Sequence, residues 1–264
     1  MLTRSAVSVI PGPSLFDRIK SMFRGSGVTG AFYDFSRSET LFSDRSGTPA
    51  TPASVDGVVG TVLDLSGNGY HMIAPSDSAR GTLRSDGRRR WIEFDGVNDE
   101  YVVNDTSALN FGTTNFYGAF AFKTDLDLLN RVLFAKTDTT TGNNFRFFLR
   151  AAPLTNQLGI FRGTDAQPSS TSDLAVVDNV PSVIAFGRDA TQDRYRKDGV
   201  SNSKSWSNAG VGSTTFNPVF GGDQATSYEI DGDLFGMLVI NRFPSDDERN
   251  LIDRYFAPLC GLVL

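Results

Sequence analysis

The sequence predicts an all-β domain, two antiparallel sheets packed as a sandwich, with a short arm and helix before it and one helix after it. Three observations carry this. The 264 residues include 21 Phe and 26 Gly but a single Cys. Aromatic strands broken by frequent turns suit a sandwich, and the lone Cys260 excludes an intramolecular disulfide framework, so packing must hold the core. Residues 91–103, Trp-Ile-Glu-Phe-Asp-Gly-Val-Asn-Asp-Glu-Tyr-Val-Val, read as a strand, a tight Asp95-Gly96 turn and a second strand, which is the pattern of a hairpin. Residues 234–240 are apolar at both parities, as expected of a strand covered on both faces.

The elements follow in order. Residues 1–13 are polar and end in Pro-Gly-Pro, an extended arm. Ser14 and Asp17 have capping-box-like spacing and open a short helix. Leu15, Ile19 and Met22 recur at helical spacing with Phe16 and Phe23 alongside, and Gly25 ends the helix. This apolar face is short and weakly basic for a membrane anchor and fits docking on a partner protein better. From Gly30 onward strands alternate with turns, the clearest turns being Ser66-Gly67-Asn68-Gly69 and Asp198-Gly199. Ser245 and Glu248 match a capping box for a helix over 245–257, with Leu251, Ile252, Tyr255 and Phe256 on one stripe and Pro258 as the stop. The chain therefore divides into an arm and docking helix, 1–27, and a sandwich with its terminal helix, 28–264. No period of 20 to 50 residues is visible, which excludes a solenoid or propeller.

Charge and hydropathy exclude two classes of partner. With 25 basic and 30 acidic residues the net charge is −5, unsuited to a phosphate backbone, so nucleic acid is not expected. No window approaches the ~18 to 20 apolar residues of a membrane span, and the first residues do not form a signal peptide. Synthesis in the cytoplasm is the expectation. A homo-oligomer is compatible with the sequence.

Several segments share a further pattern. Residues 91–103 place an aromatic and an acid before Phe-Asp-Gly, then Asn-Asp and an aromatic-Val-Val strand. Residues 62–71 read Val-Leu-Asp-Leu-Ser-Gly-Asn-Gly-Tyr-His, 194–199 Arg-Tyr-Arg-Lys-Asp-Gly, 230–236 Ile-Asp-Gly-Asp-Leu-Phe-Gly and 239–245 Val-Ile-Asn-Arg-Phe-Pro-Ser. In this order the chain resembles the laminin-G-like branch of the concanavalin A-like lectin/glucanase sandwiches over roughly residues 28–257, departing from it at Phe243-Pro244. The resemblance implies a concanavalin A-like jelly roll, as found in structural proteins of tailed-bacteriophage virions. It implies a non-enzymatic head-decoration, fibre or tail-associated protein that displays a glycan-binding-type sandwich. Its partners would be capsid or tail proteins and host surface polysaccharide. Its anchor would be the N-terminal segment, docking through Leu15, Phe16, Ile19, Met22 and Phe23.

Candidate chemistry is sparse. Alternation places Glu229, Asp231 and Asp233 on one face of a strand. By resemblance to family 16 glycoside hydrolases, which share the fold, Glu229 would be nucleophile, Asp231 its hydrogen-bond partner and Asp233 the acid. The competing reading is an ordinary closing strand, and it is preferred. His71 is the only histidine; its place in a Gly-Asn-Gly turn favours hydrogen bonding over a triad. Asp95, Asn98, Asp99 and Asp231 have two readings, Asx-capped turns or hard-oxygen ligands of a structural calcium. No cofactor is required. Arg88-Arg89-Arg90 reads as a solvated turn ahead of a contact to an acidic glycan. Trp206, Tyr195 and Tyr228 are the rim aromatics proposed to stack on sugar rings.

Overall fold

The computed structural model describes residues 12–264 apart from 106, 108, 112–114, 126–129, 138–143, 151–155, 164–169, 206–215 and 224–227. The described strands form two antiparallel sheets. The first has eight strands: β1 (Gly30–Asp34), β5 (Thr82–Ser85), β6 (Arg90–Asp95), β8 (Phe116–Thr124), β13 (Ser182–Arg188), β14 (Asp193–Lys197), β15 (Val200–Lys204) and β17 (Asp231–Ile240). The second has nine: β2 (Leu41–Phe42), β3 (Thr61–Val62), β4 (Met72–Ile73), β7 (Tyr101–Val103), β9 (Arg131–Thr137), β10 (Asn144–Arg150), β11 (Gln157–Gly163), β12 (Ser170–Ala175) and β16 (Val219–Phe220). The expected sandwich is what forms.

The first sheet runs β15-β14-β13-β8-β17-β6-β5, and β17 is its organiser. One edge of β17 pairs with β8; the other pairs with β6 over its first residues and with β1 over its last. That explains residues 234–240. Leu234, Met237 and Val239 enter the core between the sheets with Phe94, Phe120, Phe147 and Phe186. Phe235, Leu238 and Ile240 face the other way, under two helices.

Those helices are α1 (Leu15–Ser21) and α2 (Asp246–Cys260). The Ser14 hydroxyl caps α1 by accepting from the Asp17 N–H. Ser245 and Glu248 complete the capping box of α2 as expected. Pro258 does not stop α2. Proline removes only its own helix hydrogen bond, and the chain continues to Cys260, where Gly261 at φ 89° supplies the left-handed cap.

Three further expectations are corrected. First, residues 91–103 are not a hairpin. β6 belongs to the first sheet and β7 to the second, so the Asp95-Gly96 turn carries the chain across the rim of the sandwich. Phe94 and Tyr101 point inward from opposite sheets and meet edge to face at 5.8 Å. Second, the apolar face of α1 is not available to a partner. Ile19, Met22 and Phe23 are buried against Phe32, Leu251, Tyr255 and Phe256 of the same chain, Phe16 packs on the same cluster, and only Leu15 is exposed. Burying this face within the chain stabilises the fold by about 25 cal/mol for each Å² of apolar surface taken out of water, and it leaves no sticky stripe to dock. Third, Arg89 is not merely solvated. It donates to the Cys260 carbonyl at 3.1 Å and, through Nε, to Asp86 at 2.7 Å, placing a cation at the negative end of α2.

Candidate functional site

A cleft of about 730 Å³ opens on the first sheet's outer face between the β14–β15 ribbon and the start of α2. The Asp198-Gly199 turn joins the ribbon, with both residues at positive φ (47° and 83°), as a two-residue hairpin turn requires. Alternation sends Tyr195 inward, while Arg194 and Arg196 face out beside their cross-strand partners Ser203 and Ser201. Across the cleft, Phe243 lies on β13 at Gly187, where a Cβ would come within 2.9 Å of its ring. Its ring also meets Tyr117 edge to face at 5.8 Å, with the Arg249 guanidinium 4.5 Å above it.

Each arginine here is held by an acid, so the wall presents fixed donors and acceptors with little net charge. Arg194 binds Asp189 through Nε at 2.7 Å. Burial works against the Asp189 charge, but the N–H groups of Thr191 and Gln192 and the Arg194 guanidinium outweigh it and bring the carboxyl down to about 2. Arg196 donates to Asp253 at 2.6 Å, Asn250 at 2.7 Å and Ser201 at 2.9 Å. Arg249 donates to Asp246 and to the Pro244 carbonyl. Tyr117 lines the cleft, is 1% exposed, and its hydroxyl has no hydrogen-bond partner; burial raises its pKa. An unmet buried hydroxyl is costly, so a ligand group that reached it would bind with a gain. Of the residues lining this cleft, the sequence had marked only Tyr195 as a site residue, and its ring turns inward. The other signal was the departure at Phe243-Pro244.

A second hollow, about 300 Å³, gathers much of the acid that the sequence pointed to. The register of β17 with β6 sets Asp231 beside Asp95 and Asp233 beside Glu93; Asp99 and Asp125 complete the rim. Gly232 at φ 138° is obligatory, because a Cβ would meet the Lys123 carbonyl oxygen at 2.3 Å. Asp233 is paired with Lys123 at 2.7 Å. Asp99 accepts from the Asp95 N–H at 2.9 Å, and burial pushes its carboxyl up to about 6, with the neighbouring charges of Asp95 and Glu93 acting in the same direction.

Glu229 does not join this hollow. β17 begins at Asp231, and Glu229 lies before it, beside Gly222, with its carboxyl raised first by burial and with one buried carboxylate oxygen unpartnered. The expected alternating trio is therefore not formed. Two of the four residues considered for calcium are engaged in turn hydrogen bonds. Asp95 Oδ1 accepts from the N–H groups of Val97 and Asn98, an Asx turn, and Asp99 Oδ2 is taken by Asp95. Among the described residues no group of three or more His, Cys, Asp or Glu is placed to hold a metal ion.

The remaining candidates separate. His71 Nδ1 accepts from the Asp64 N–H at 3.0 Å. The Asp64 carboxylate in turn accepts from the N–H groups of Phe32, Ser66 and Tyr70. The histidine thus helps hold a turn. Tyr195 is 1% exposed and bonded to the Ser170 hydroxyl in the core, so it cannot stack on a sugar. Tyr228 stays half-buried on the outer face of the second sheet, against Val132, Ala135 and Phe148. Trp206 lies outside the described residues.

No family model matches the sequence, and no curated protein matches it either. Solved structures do match in fold. A GH54 α-L-arabinofuranosidase soaked with a cyclic sulfate inhibitor superposes with a TM-score of 0.61 at 13% identity, over 92% of this chain and 65% of that one. A Trypanosoma rangeli sialidase in complex with difluorosialic acid gives 0.55 at 12% identity, over 89% of this chain and 33% of that one. The chain thus spans less than two thirds of each of these enzymes, and at such identities the likeness establishes a shared β-sandwich fold.

Proposed function

We propose that the chain is a glycan-recognising β-sandwich that binds without cleaving, through the cleft between the β14–β15 ribbon and α2. The observation that carries this is the lining. A half-buried aromatic ring, two exposed serine hydroxyls and a set of acid-paired arginines surround a buried tyrosine hydroxyl that lacks a partner. A sugar matches such a wall, with C–H faces for the ring of Phe243 and hydroxyls that both donate and accept. The solved enzymes that share the fold are named for an arabinofuranoside and for sialic acid, and carrying the ligand class across from them is our step. The test is a glycan array followed by calorimetry on the best hit. Phe243→Ala is expected to weaken binding at least tenfold, about 1.4 kcal/mol. Undiminished binding, or no binding on a broad panel, would sink the reading.

Display on a phage particle, with capsid or tail partners, rests on the sequence resemblance. Because the apolar face of α1 is buried within the chain, attachment would have to use surface other than that face. Peptides of this chain missing from purified particles would count against it.

Hydrolysis is the second reading, favoured by one observation: Asp99, held at about 6, shares its hollow with Asp231 and Asp233. Divergent carboxyl environments are what acid and base roles need. Reducing-sugar release that is lost in Asp99→Asn would support it; no release from any polysaccharide tested would end it.

A further inference from the structure

The core contains one lysine that the glycan reading does not use. Lys136 lies on β9, where alternation gives it the face of Phe134, toward the other sheet. It is 0% exposed. Its register partner on β10 is Phe145, and the rings of Phe145, Phe134 and Phe111 lie 5.5 to 6.0 Å apart. In this setting Nζ donates to Asn110 Oδ1 at 2.5 Å. The Asn110 carbonyl carbon is one C=O bond, about 1.2 Å, beyond that oxygen. That places it close to the roughly 3–3.5 Å at which a nucleophile is poised to attack.

The electrostatics favour a nucleophile. Burial pushes the Lys136 amine down to about 8, against the opposing pull of the Asp105 charge. An amine of that pKa is neutral in roughly one molecule in ten at pH 7 and one in two at pH 8, and only the neutral form attacks a carbonyl. Asn110 is at the surface, so a small leaving group has a path to water.

We propose that Lys136 and Asn110 join in an intramolecular amide that ties β9 to the loop after β7. The Nζ lone pair adds to Asn110 Cγ and forms the C–N bond. A proton passes from Nζ to Nδ2, with the Asp105 carboxyl as the carrier at hand. The Cγ–Nδ2 bond then breaks and ammonia leaves. No atom changes oxidation state, and no further reactant is needed. The link would close a 26-residue separation in the chain, and it is independent of what the cleft binds.

Intact mass spectrometry of the full chain, purified folded and then denatured, is the test. The expected mass is about 17 Da, one ammonia, below that of the sequence. Proteolysis should yield a branched peptide joining Lys136 to Asn110. Lys136→Met, an uncharged replacement of similar length, and Asn110→Ala should each restore the full mass for their sequence, and Asp105→Ala should slow the loss. A wild-type chain that keeps its full mass after long incubation at pH 8 overturns the proposal. So does an ammonia loss that persists in Lys136→Met, which would mark ring closure of the asparagine on its own backbone. A gain of about 1 Da at Asn110, the mark of hydrolysis, also overturns it.

Discussion

Replacing Ile19 and Phe23 together by alanine is expected to lower the unfolding free energy by roughly 5 kcal/mol. Ile19 is 0% and Phe23 5% exposed; Phe23 stacks on Phe32, which also packs on Tyr255 and Phe256, and Ile19 belongs to the same cluster. Truncating one such side chain costs about 2–5 kcal/mol. The two share neighbours, so their costs will not simply add. Against a typical total of about 5–15 kcal/mol, this is a crippling loss. Leu15→Ala, on the exposed side of α1, is the control and should stay within about 0.5 kcal/mol. Urea denaturation of the three proteins decides the matter. An unchanged midpoint in the double variant would return α1 to the role of a docking element, since a helix that only served a partner could be eroded without cost to the sandwich.

The second large effect concerns pH. Asp99 titrates near 6 when folded and near 3.9 when unfolded. Its folded pKa is raised, so the stability it contributes is fully present below about pH 4 and is lost as pH rises through 6. Two pKa units correspond to about 3 kcal/mol. Asp99→Asn removes the charge and keeps an oxygen to accept from the Asp95 N–H. The variant is expected to exceed the parent by about 3 kcal/mol at pH 8 and to match it at pH 4, read as the difference between urea midpoints. A difference that is the same at both pH values would mean that the carboxyl is not the strained group.

The sequence displayed the layers better than the connections. Residues 234–240 announced a strand covered on both faces, and the fold covers it with a second sheet and two helices. Ser245 and Glu248 announced α2 because a capping box is a local device. Residues 91–103 misled for a physical reason. Asp95 and Gly96 specify that the chain reverses, while the choice between pairing β6 with β7 and sending them to separate sheets is made by partners far away, β5 and β17 for one and β4 and β16 for the other. The apolar stripe of α1 was read correctly as a stripe, but its spacing is the same whether the surface it meets belongs to another protein or to Phe32 and α2.

The cleft was illegible for a similar reason. Its wall is assembled from residues 117, 189, 194–196, 201–203, 243–246 and 249, which only the register of β8, β13, β14 and β15 brings together. The acidic hollow was half legible. Asp231 and Asp233 alternate as expected, yet the carboxyl with the raised pKa, Asp99, owes that to burial at the sheet-to-sheet crossing, and Glu229 was lost because β17 starts two residues after it.

β17 also sets a timetable. It supplies pairing edges to β1, β6 and β8 at once, and its register with β1 joins residues about 200 positions apart. A ribosome delivering this chain from the N-terminus exposes those edges, with their unpaired N–H and C=O groups, until residue 240 has emerged. Closure of the first sheet is then a late event across a long loop, the situation in which β proteins fold slowly. Chains interrupted before β17 would be open-edged sheets prone to pair with one another, so a solubility assay on a series of C-terminal truncations should change abruptly at this strand.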